Sequence, residues 1–275
     1  MNNTGTVDRV SLKLQARDWM RRAVPAFWLA ALVYQAVTNL LPNVISGLIP
    51  YTAQITAELY TAIDYLNMGD SFNAVNVLMD ILSTPAGYVT LFISIALSLF
   101  SGVVGWGYKS YAVGTIRGEN PGVQELFSRF YMAGKIVLAM VLEVVFVSLW
   151  SMLFVFPGIV AAYRYRMVVY LLLDDPDCPV LEAFDRSKLL MLGRKWELFT
   201  LDLSFFGWEL LLSLVSSIPT TLLGMTMLAF NLESILLVAG TLLLMPYREF
   251  TWAGWYEAIR PKEVARETPQ EDSFG

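Results

Sequence analysis

The sequence contains no histidine and a single cysteine, Cys178. Without histidine the chain cannot build a Ser-His-Asp or Cys-His catalytic set, an imidazole metal site or a histidine proton relay. One cysteine forms neither an internal disulfide nor a thiolate metal cluster. Because Cys178 stands between Asp177 and Pro179, it is predicted to be a tolerated surface residue rather than a nucleophile.

Sequence motifs of the common cofactor enzymes are also missing. There is no Walker A loop, no GxGxxG and no GxSxG, so nucleotide binding and the α/β-hydrolase reaction find no support. The run Asp174-Asp175-Pro176-Asp177 lacks further acids at the spacing of a calcium loop, and it predicts a turn and a helix start. We therefore expect a non-enzymatic protein with no cofactor and no metal.

Basic residues are absent from three long stretches, residues 23–108, 136–163 and 196–247. Since basic flanks stay in the cytoplasm, each stretch predicts a hairpin that crosses the membrane outward and returns. With 56% hydrophobic and 16% charged residues, the chain is predicted to be an all-α polytopic membrane helical bundle with both termini cytoplasmic. The six predicted transmembrane helices are residues 23–48, 87–112, 136–156, 159–174, 196–218 and 234–256.

This topology predicts one transmembrane domain over residues 1–259 and a disordered cytoplasmic tail over residues 260–275. The first apolar run is longer than a signal-peptide core, so we expect it to be retained. Membrane lipids are the expected surroundings. Nucleic acid is not an expected partner, because the basic residues flank apolar segments and form no single basic stripe.

The first outer connection, residues 50–85, carries four acids and no basic residue. Apolar residues recur there at helical spacing, which predicts two amphipathic helices around a turn at residues 67–70. These helices would lie on the outer membrane surface or cap the bundle. Their acidic face suits a basic protein partner, or it is simply a solvated face on a segment that closes the hairpin.

The middle hairpin has no such connection. Residues 136–173 would form a helix of about 57 Å, nearly twice a hydrocarbon core of about 30 Å. Because proline removes a backbone donor and glycine permits unusual dihedral angles, Pro157-Gly158 is expected to make the reversal.

Each hairpin is preceded by a short amphipathic segment that we expect in the cytoplasmic headgroup layer. The first is residues 7–22, with Val10, Leu14 and the Trp19-Met20 pair on its apolar side. The second begins at Asn120-Pro121, a capping pair, and the third at Cys178-Pro179, with an apolar side of Val180, Phe184, Ser187 and Met191. The recurrence suggests an internal threefold repeat.

Charged residues recur inside the predicted spans. Glu143 and Asp202 each lie eight residues past a basic flank, about 12 Å inward, and a tyrosine precedes a base on every returning helix. The predicted intramembrane polar centre comprises Lys109, Glu143, Tyr163, Arg164, Arg166, Asp202, Tyr247 and Arg248. It is either a buried ion-pair network that locks helix register or a polar path for an ion, a solute or a lipid headgroup.

A series of short motifs runs in a fixed order through residues 87–258. They are Trp150, Phe156-Pro157-Gly158, Tyr163, Asp174-Asp175-Pro176, Glu182-Ala183, Ser187, Met191-x-Gly193-x-Lys195-Trp196, residues 203–208 and Pro246-Tyr247. In this order they resemble a bacterial family of integral membrane proteins, the domain of unknown function nine-seven-five. That family is distantly similar to the membrane portion of some glycerophosphodiester phosphodiesterases, which implies a lipid-linked or envelope role but transfers no catalytic residue.

The expected function is that of a non-enzymatic accessory or envelope-associated component of the bacterial cytoplasmic membrane. The alternative is a small transporter or lipid-handling protein that uses the charged centre. An intramembrane enzyme is a third reading, and it would need a wet cavity in which a nucleophile and an acid converge.

Overall fold

The computed structural model describes residues 7–23, 26–49, 52–224 and 226–260. Within these ranges the chain forms fourteen α-helices and no strand. The helices are α1 (Arg9–Arg22), α2 (Phe27–Gln35), α3 (Leu41–Leu48), α4 (Thr52–Asn67), α5 (Ser71–Ser83), α6 (Pro85–Ile116), α7 (Glu125–Ser128), α8 (Ala133–Leu153), α9 (Val155–Tyr165), α10 (Val168–Asp174), α11 (Val180–Leu190), α12 (Lys195–Ser216), α13 (Ile218–Leu223) and α14 (Met227–Ile259). Except for residue 260, the predicted disordered tail lies outside the described residues.

Five helical segments of the described chain are long and apolar enough to cross a membrane. They are Phe27–Leu48, Pro85–Ile116, Glu125–Leu153, Val155–Asp174 and Lys195–Leu223. Large apolar side chains cover their outer surfaces, and Met152 and Phe156 are 85% and 82% exposed. A surface of this kind is stable against lipid and not against water, which indicates a membrane protein. The sixth predicted span, residues 234–256, lies within α14 and is not among the five.

Helix α14 lies at the centre of the bundle, where α1, α2, α6 and α12 pack around it. Its second half is the most thoroughly buried part, with Phe250, Ala253 and Trp255 almost inaccessible to solvent. The polar side chains of this half must therefore find their partners on neighbouring helices.

Helix α1 is the first predicted interfacial segment, and Asp8 caps it by accepting the backbone N–H groups of Val10 and Ser11. Its buried face is Leu12 and Ala16. Of the predicted apolar side, Trp19 and Met20 pack against the core, whereas Val10 and Leu14 are exposed. Exposed apolar side chains on α1 are compatible with the predicted position in the headgroup layer, and a small residue on the partner helix determines how α1 docks. A Cβ on Gly254 of α14 would lie 2.4 Å from the Trp19 ring, so only glycine admits α1 in this position.

The two predicted helices of the first outer connection are confirmed as α4 and α5, which pack against each other. Between them the chain turns through Gly69, at a φ of 78°, and Asp70 caps α5 by accepting the backbone N–H of Asn73 at 3.1 Å. Ile55 and Ile81 are buried. Many other apolar side chains of the pair face outward, as expected for helices against a membrane surface or a partner.

The reversal of the middle hairpin takes place at Phe154 and not at Pro157-Gly158. Phe154 is extended, with φ −164° and ψ 157°, and it alone connects α8 to α9. Pro157 and Gly158 lie in the first turn of α9, where proline leaves no hydrogen bond unmade. Gly158 lets the helices meet, because a Cβ there would lie 2.0 Å from Ser151 Oγ and 3.0 Å from Ser151 Cα.

The second interfacial segment differs from the prediction. No helix begins at Asn120-Pro121, and residues 119–124 are irregular up to the single turn of α7. Tight docking positions this turn, since a Cβ on Gly107 would lie 2.0 Å from the Leu126 carbonyl oxygen. The chain is therefore docked on α6 at Leu126, and a 3-10 turn at Arg129–Met132 continues it from α7 to α8.

The third segment is confirmed as α11, and its predicted apolar side of Val180, Phe184, Ser187 and Met191 is buried. It is buried against protein rather than lipid, because Ser187 Oγ donates a hydrogen bond of 2.9 Å to the Arg164 carbonyl.

Cys178 is not the surface residue that was predicted, since it is only 4% exposed. Its carbonyl oxygen accepts a hydrogen bond of 3.0 Å from Lys135 Nζ, which ties the connection before α11 to α8. Burial raises the pKa of the Cys178 thiol, so the side chain is a poor nucleophile at neutral pH.

Gly158→Ala tests the close approach of α8 and α9. Because the added methyl group collides with Ser151, we expect the free energy of unfolding to fall by about 1–3 kcal/mol. A matched control is Gly207→Ala in α12, where a Cβ has no neighbour within 4 Å and the change should be neutral or stabilising by up to about 1 kcal/mol. Unfolding of the purified protein by dodecyl sulfate in mixed micelles measures both, and equal effects would contradict the packing argument.

Candidate functional site

Asp202 is the point at which three helices meet through polar side chains. Tyr163 of α9 donates its hydroxyl to Oδ2 at 2.9 Å, and the Trp252 indole of α14 donates to Oδ1 at 2.6 Å. Arg166, directly after α9, places Nη2 4.0 Å from Oδ2. Both carboxylate oxygens are thus satisfied, and the negative charge has a cation beside it, which lowers the cost of burial.

Trp252 connects this carboxylate to a second ion pair. The Arg166 guanidinium lies 4.0 Å from the centre of a Trp252 ring and that of Arg248 lies 4.7 Å away. Both are cation–π contacts, which gain strength where water is scarce. Arg248 also pairs with Glu209 of α12. We call Tyr163, Arg166, Asp202, Glu209, Arg248 and Trp252 the α12–α14 polar cluster.

The α12–α14 polar cluster borders a cavity of about 400 Å³. Phe199, Leu203, Phe205 and Phe206 supply the apolar part of its wall. The arrangement offers a carboxylate, two guanidiniums and aromatic faces around a space the size of a small ligand. It can hold helices together or receive a small polar or amphiphilic group.

A separate ion pair joins α6 to α14. Lys109 Nζ lies 3.4 Å from Glu249 Oε2, and Glu249 is 5% exposed. The buried hydroxyls of Tyr108 and Tyr170 have no hydrogen-bond partner among the described residues. Lys109 was predicted to share one centre with Asp202, but the structure gives each charge its own partner.

Like Lys109, three further predicted residues take no part in the α12–α14 polar cluster. Glu143, half-buried on α8, has neither an ion pair nor a hydrogen bond within the described chain, although Arg166 and Lys109 act on it electrostatically. Arg164 contributes its carbonyl oxygen to Ser187, and no described carboxylate lies within 4 Å of its guanidinium. Tyr247 packs against the Phe205 ring at 5.4 Å.

Arg164 and Arg166 were both predicted to belong to the polar centre, but of the two only Arg166 lies beside a described carboxylate, that of Asp202. The reason is local: α9 ends at Tyr165 and a turn at residues 166–167 precedes α10. This break directs Arg166 towards α12, whereas Arg164 stays on α9 beside α11.

Sequence reasoning missed Glu209, Glu249 and Trp252. A usable signal existed for two of them. Glu209 follows Asp202 by seven residues and Trp252 follows Arg248 by four, so each pair shares one face of its helix. Glu249 had no comparable signal, because its partner Lys109 lies 140 residues earlier.

A third charged group lies at the end of the bundle where α6 and α14 finish. Arg117 donates to Asp174 at 2.6 Å and to Glu257 at 2.8 Å. Partial burial would lower the pKa of Arg117, but these hydrogen bonds and charges raise it. As predicted, Asp174 precedes a turn and a helix start. No metal-binding group of three acidic, Cys or His residues exists within the described ranges.

The fold and the charge arrangement define a helical membrane protein with ion pairs inside its bundle. Residues 153–263 match the model of a family described as "Protein of unknown function (DUF975)", which confirms the resemblance seen in the motifs. No curated protein and no solved structure matches the chain. The match supports neither the part of the resemblance before residue 153 nor the likeness to phosphodiesterase membrane portions.

The matched segment runs from the end of α8 to just past α14. It contains every member of the α12–α14 polar cluster. Lys109 and Glu143 lie before it, so these two predicted residues fall outside the matched segment.

Asp202→Asn compared with Glu143→Gln tests the difference between a paired and an unpaired acid. Asparagine cannot neutralise Arg166 or satisfy both donors, so we expect a loss of about 1–3 kcal/mol in the free energy of unfolding. Glu143→Gln removes the same charge without breaking a described contact, and its effect should stay within about 0.5 kcal/mol. Dodecyl sulfate unfolding ranks the two variants, and a larger loss for Glu143→Gln would contradict the assignment.

Proposed function

We propose that the protein is a non-enzymatic accessory or envelope-associated component of the bacterial cytoplasmic membrane. It crosses the membrane six times as three outward hairpins, with its N- and C-termini in the cytoplasm. Five apolar helical segments support this topology. The sixth span is assigned to α14, whose 33 residues extend over about 50 Å, enough to cross a bilayer at a tilt.

One observation carries the proposal: the charges of the α12–α14 polar cluster pair with each other, and Arg248 Nε is the buried donor of the cluster that has no hydrogen-bond partner among the described residues. Asp202 accepts two hydrogen bonds from two different helices and lies beside Arg166, while Arg248 pairs with Glu209. A catalytic or transport site would need a charged side chain that is free to bind a ligand, whereas each carboxylate of the cluster already has a guanidinium partner. Mutual pairing across helices favours a structural role that fixes how α9, α12 and α14 pack.

A second candidate, a small transporter or lipid-handling protein, is favoured by the cavity of about 400 Å³ beside Asp202 and Arg166. A sealed ion-pair network needs no such space. In this alternative the carboxylate and guanidinium would exchange partners with a solute or a lipid headgroup as it passes.

Removing both charges of one pair distinguishes the two candidates. In a structural network, Arg166→Gln and Asp202→Asn should be non-additive, with the double variant more stable than the sum of the single effects by about 0.5–3 kcal/mol. The double variant should also leave proteoliposomes unchanged in proton leak and in the flipping of fluorescent phospholipid, measured by dye quenching and by dithionite bleaching.

A folded, normally abundant double variant with altered proton or lipid movement would contradict the structural role. Glu143→Gln is the matched control for charge loss, since it removes an intramembrane acid that has no described partner. Equal changes in both variants would point to general leakiness of the bundle.

Cysteine labelling tests the orientation. Met68, beside Gly69 at the tip between α4 and α5, is 79% exposed, and a membrane-impermeant maleimide should label Met68→Cys in intact cells. Cys178 should stay unlabelled, because it is cytoplasmic in this topology and is also buried. A second variant, Glu119→Cys on a Cys178→Ser background, places an exposed thiol on the opposite side and should react only after the cells are opened. Labelling of that thiol in intact cells would overturn the orientation.

A further inference from the structure

A second cavity, of about 610 Å³, lies away from the α12–α14 polar cluster, between α1, α2, α12 and α14. Its wall is apolar over most of its length and includes Trp208, Leu211, Val215 and Leu244. Its volume falls within the usual range for sites that hold small molecules. Two arginines of α1, Arg17 and Arg21, also line it.

The two arginines are placed together by their spacing. Residues four apart lie on one face of a helix, so Arg17 and Arg21 present two guanidiniums to the same space. Within the described chain neither forms an ion pair or a hydrogen bond, and both are exposed. They contrast with Arg166, Arg248 and Arg117, which all have carboxylate partners.

Helix α1, which carries Arg17 and Arg21, is anchored to both α12 and α14. Lys13 donates a hydrogen bond of 2.5 Å to Ser204 of α12 and lies 4.4 Å from the centre of the Phe205 ring. On the other side, Trp19 packs on Gly254 of α14. The guanidiniums thus belong to a helix that is fixed to both long walls of the cavity.

The cavity is polar at one end and apolar at the other. Tyr247 lies at the arginine end, where Arg17 acts on it electrostatically. From Tyr247 to Gly240 the wall follows α14 for seven residues, about 10 Å, and Gly240 contacts Leu212 of α12 so closely that a Cβ would lie 2.0 Å from its side chain. The walls therefore converge at the apolar end.

We propose that this cavity binds an anionic phospholipid, with its phosphate on Arg17 and Arg21 and part of an acyl chain between α12 and α14. Charge complementarity identifies the occupant: two unpaired guanidiniums favour a phosphate, and the adjoining wall excludes anything but a hydrocarbon chain. Basic residues on an amphipathic helix beside transmembrane helices are typical of anionic headgroup sites. The inference does not depend on the role of the α12–α14 polar cluster.

The test uses the full-length, delipidated protein in nonionic detergent, with equal amounts of dioleoyl phosphatidylglycerol and dioleoyl phosphatidylcholine. Native mass spectrometry counts the lipids that stay bound. We expect one phosphatidylglycerol to be retained with a preference of about tenfold, and Arg17→Gln with Arg21→Gln should reduce this preference towards one. The matched control is Arg9→Gln with Arg22→Gln, which removes the same charge from the same helix at positions that do not line the cavity.

Leu211→Trp tests the apolar part separately. The larger ring fills the space between α12 and α14 while both arginines remain, so we expect fewer bound molecules of phosphatidylglycerol. Soluble glycerol 3-phosphate, which offers the phosphate without acyl chains, should not displace the lipid even in large excess.

Three results would overturn the proposal. Equal loss of preference in the cavity variant and in the control variant would mean non-specific attraction to a basic helix. An unchanged preference in the cavity variant would place the lipid elsewhere. Displacement by glycerol 3-phosphate would mean that a free phosphate, and not a lipid, is the ligand.

Discussion

The need to satisfy charge inside an apolar bundle constrains this structure more than any other requirement. Asp202 shows how the constraint works: its two carboxylate oxygens are bonded to side chains from α9 and α14, and its charge is balanced by Arg166. Hydrocarbon contacts alone tolerate sliding of one helix along another, because one apolar side chain replaces the next at little cost. A carboxylate with three fixed partners does not tolerate it, so the packing of α9, α12 and α14 has one register.

Helix α14 forms polar contacts of this kind with several neighbouring helices. Glu249 pairs with α6, Trp252 with α12, and Glu257 with the end of α6 through Arg117. These three positions are three to five residues apart, so successive turns of one helix are matched to different neighbours. Small residues complete the arrangement, since Gly254 admits α1 at a distance that any side chain would prevent. The packing of α14 therefore depends both on its charged side chains and on the missing side chain at Gly254.

Much of the fold follows from the sequence, because apolar length predicts helices and charge at their flanks predicts where they end. The α4–α5 turn and the buried side of α11 were predicted from residue spacing alone. The direction in which a side chain points around its helix was harder to predict. Arg164 and Arg166 were both placed in the polar centre, but the end of α9 at Tyr165, after which Arg166 faces Asp202, has no strong local signal. Pro157-Gly158 misled for a related reason, since the same dipeptide suits both a reversal and the first turn of a helix.

The connection through Phe154 has a consequence for how this part of the chain responds to change. A hairpin joined by one residue offers no segment in which extra residues can be accommodated, because an insertion there must unwind α8 or α9. The two helices are therefore expected to pack in the bundle as one hairpin. Extra residues are accommodated more easily at the turn between α4 and α5, where Gly69 has open space around it.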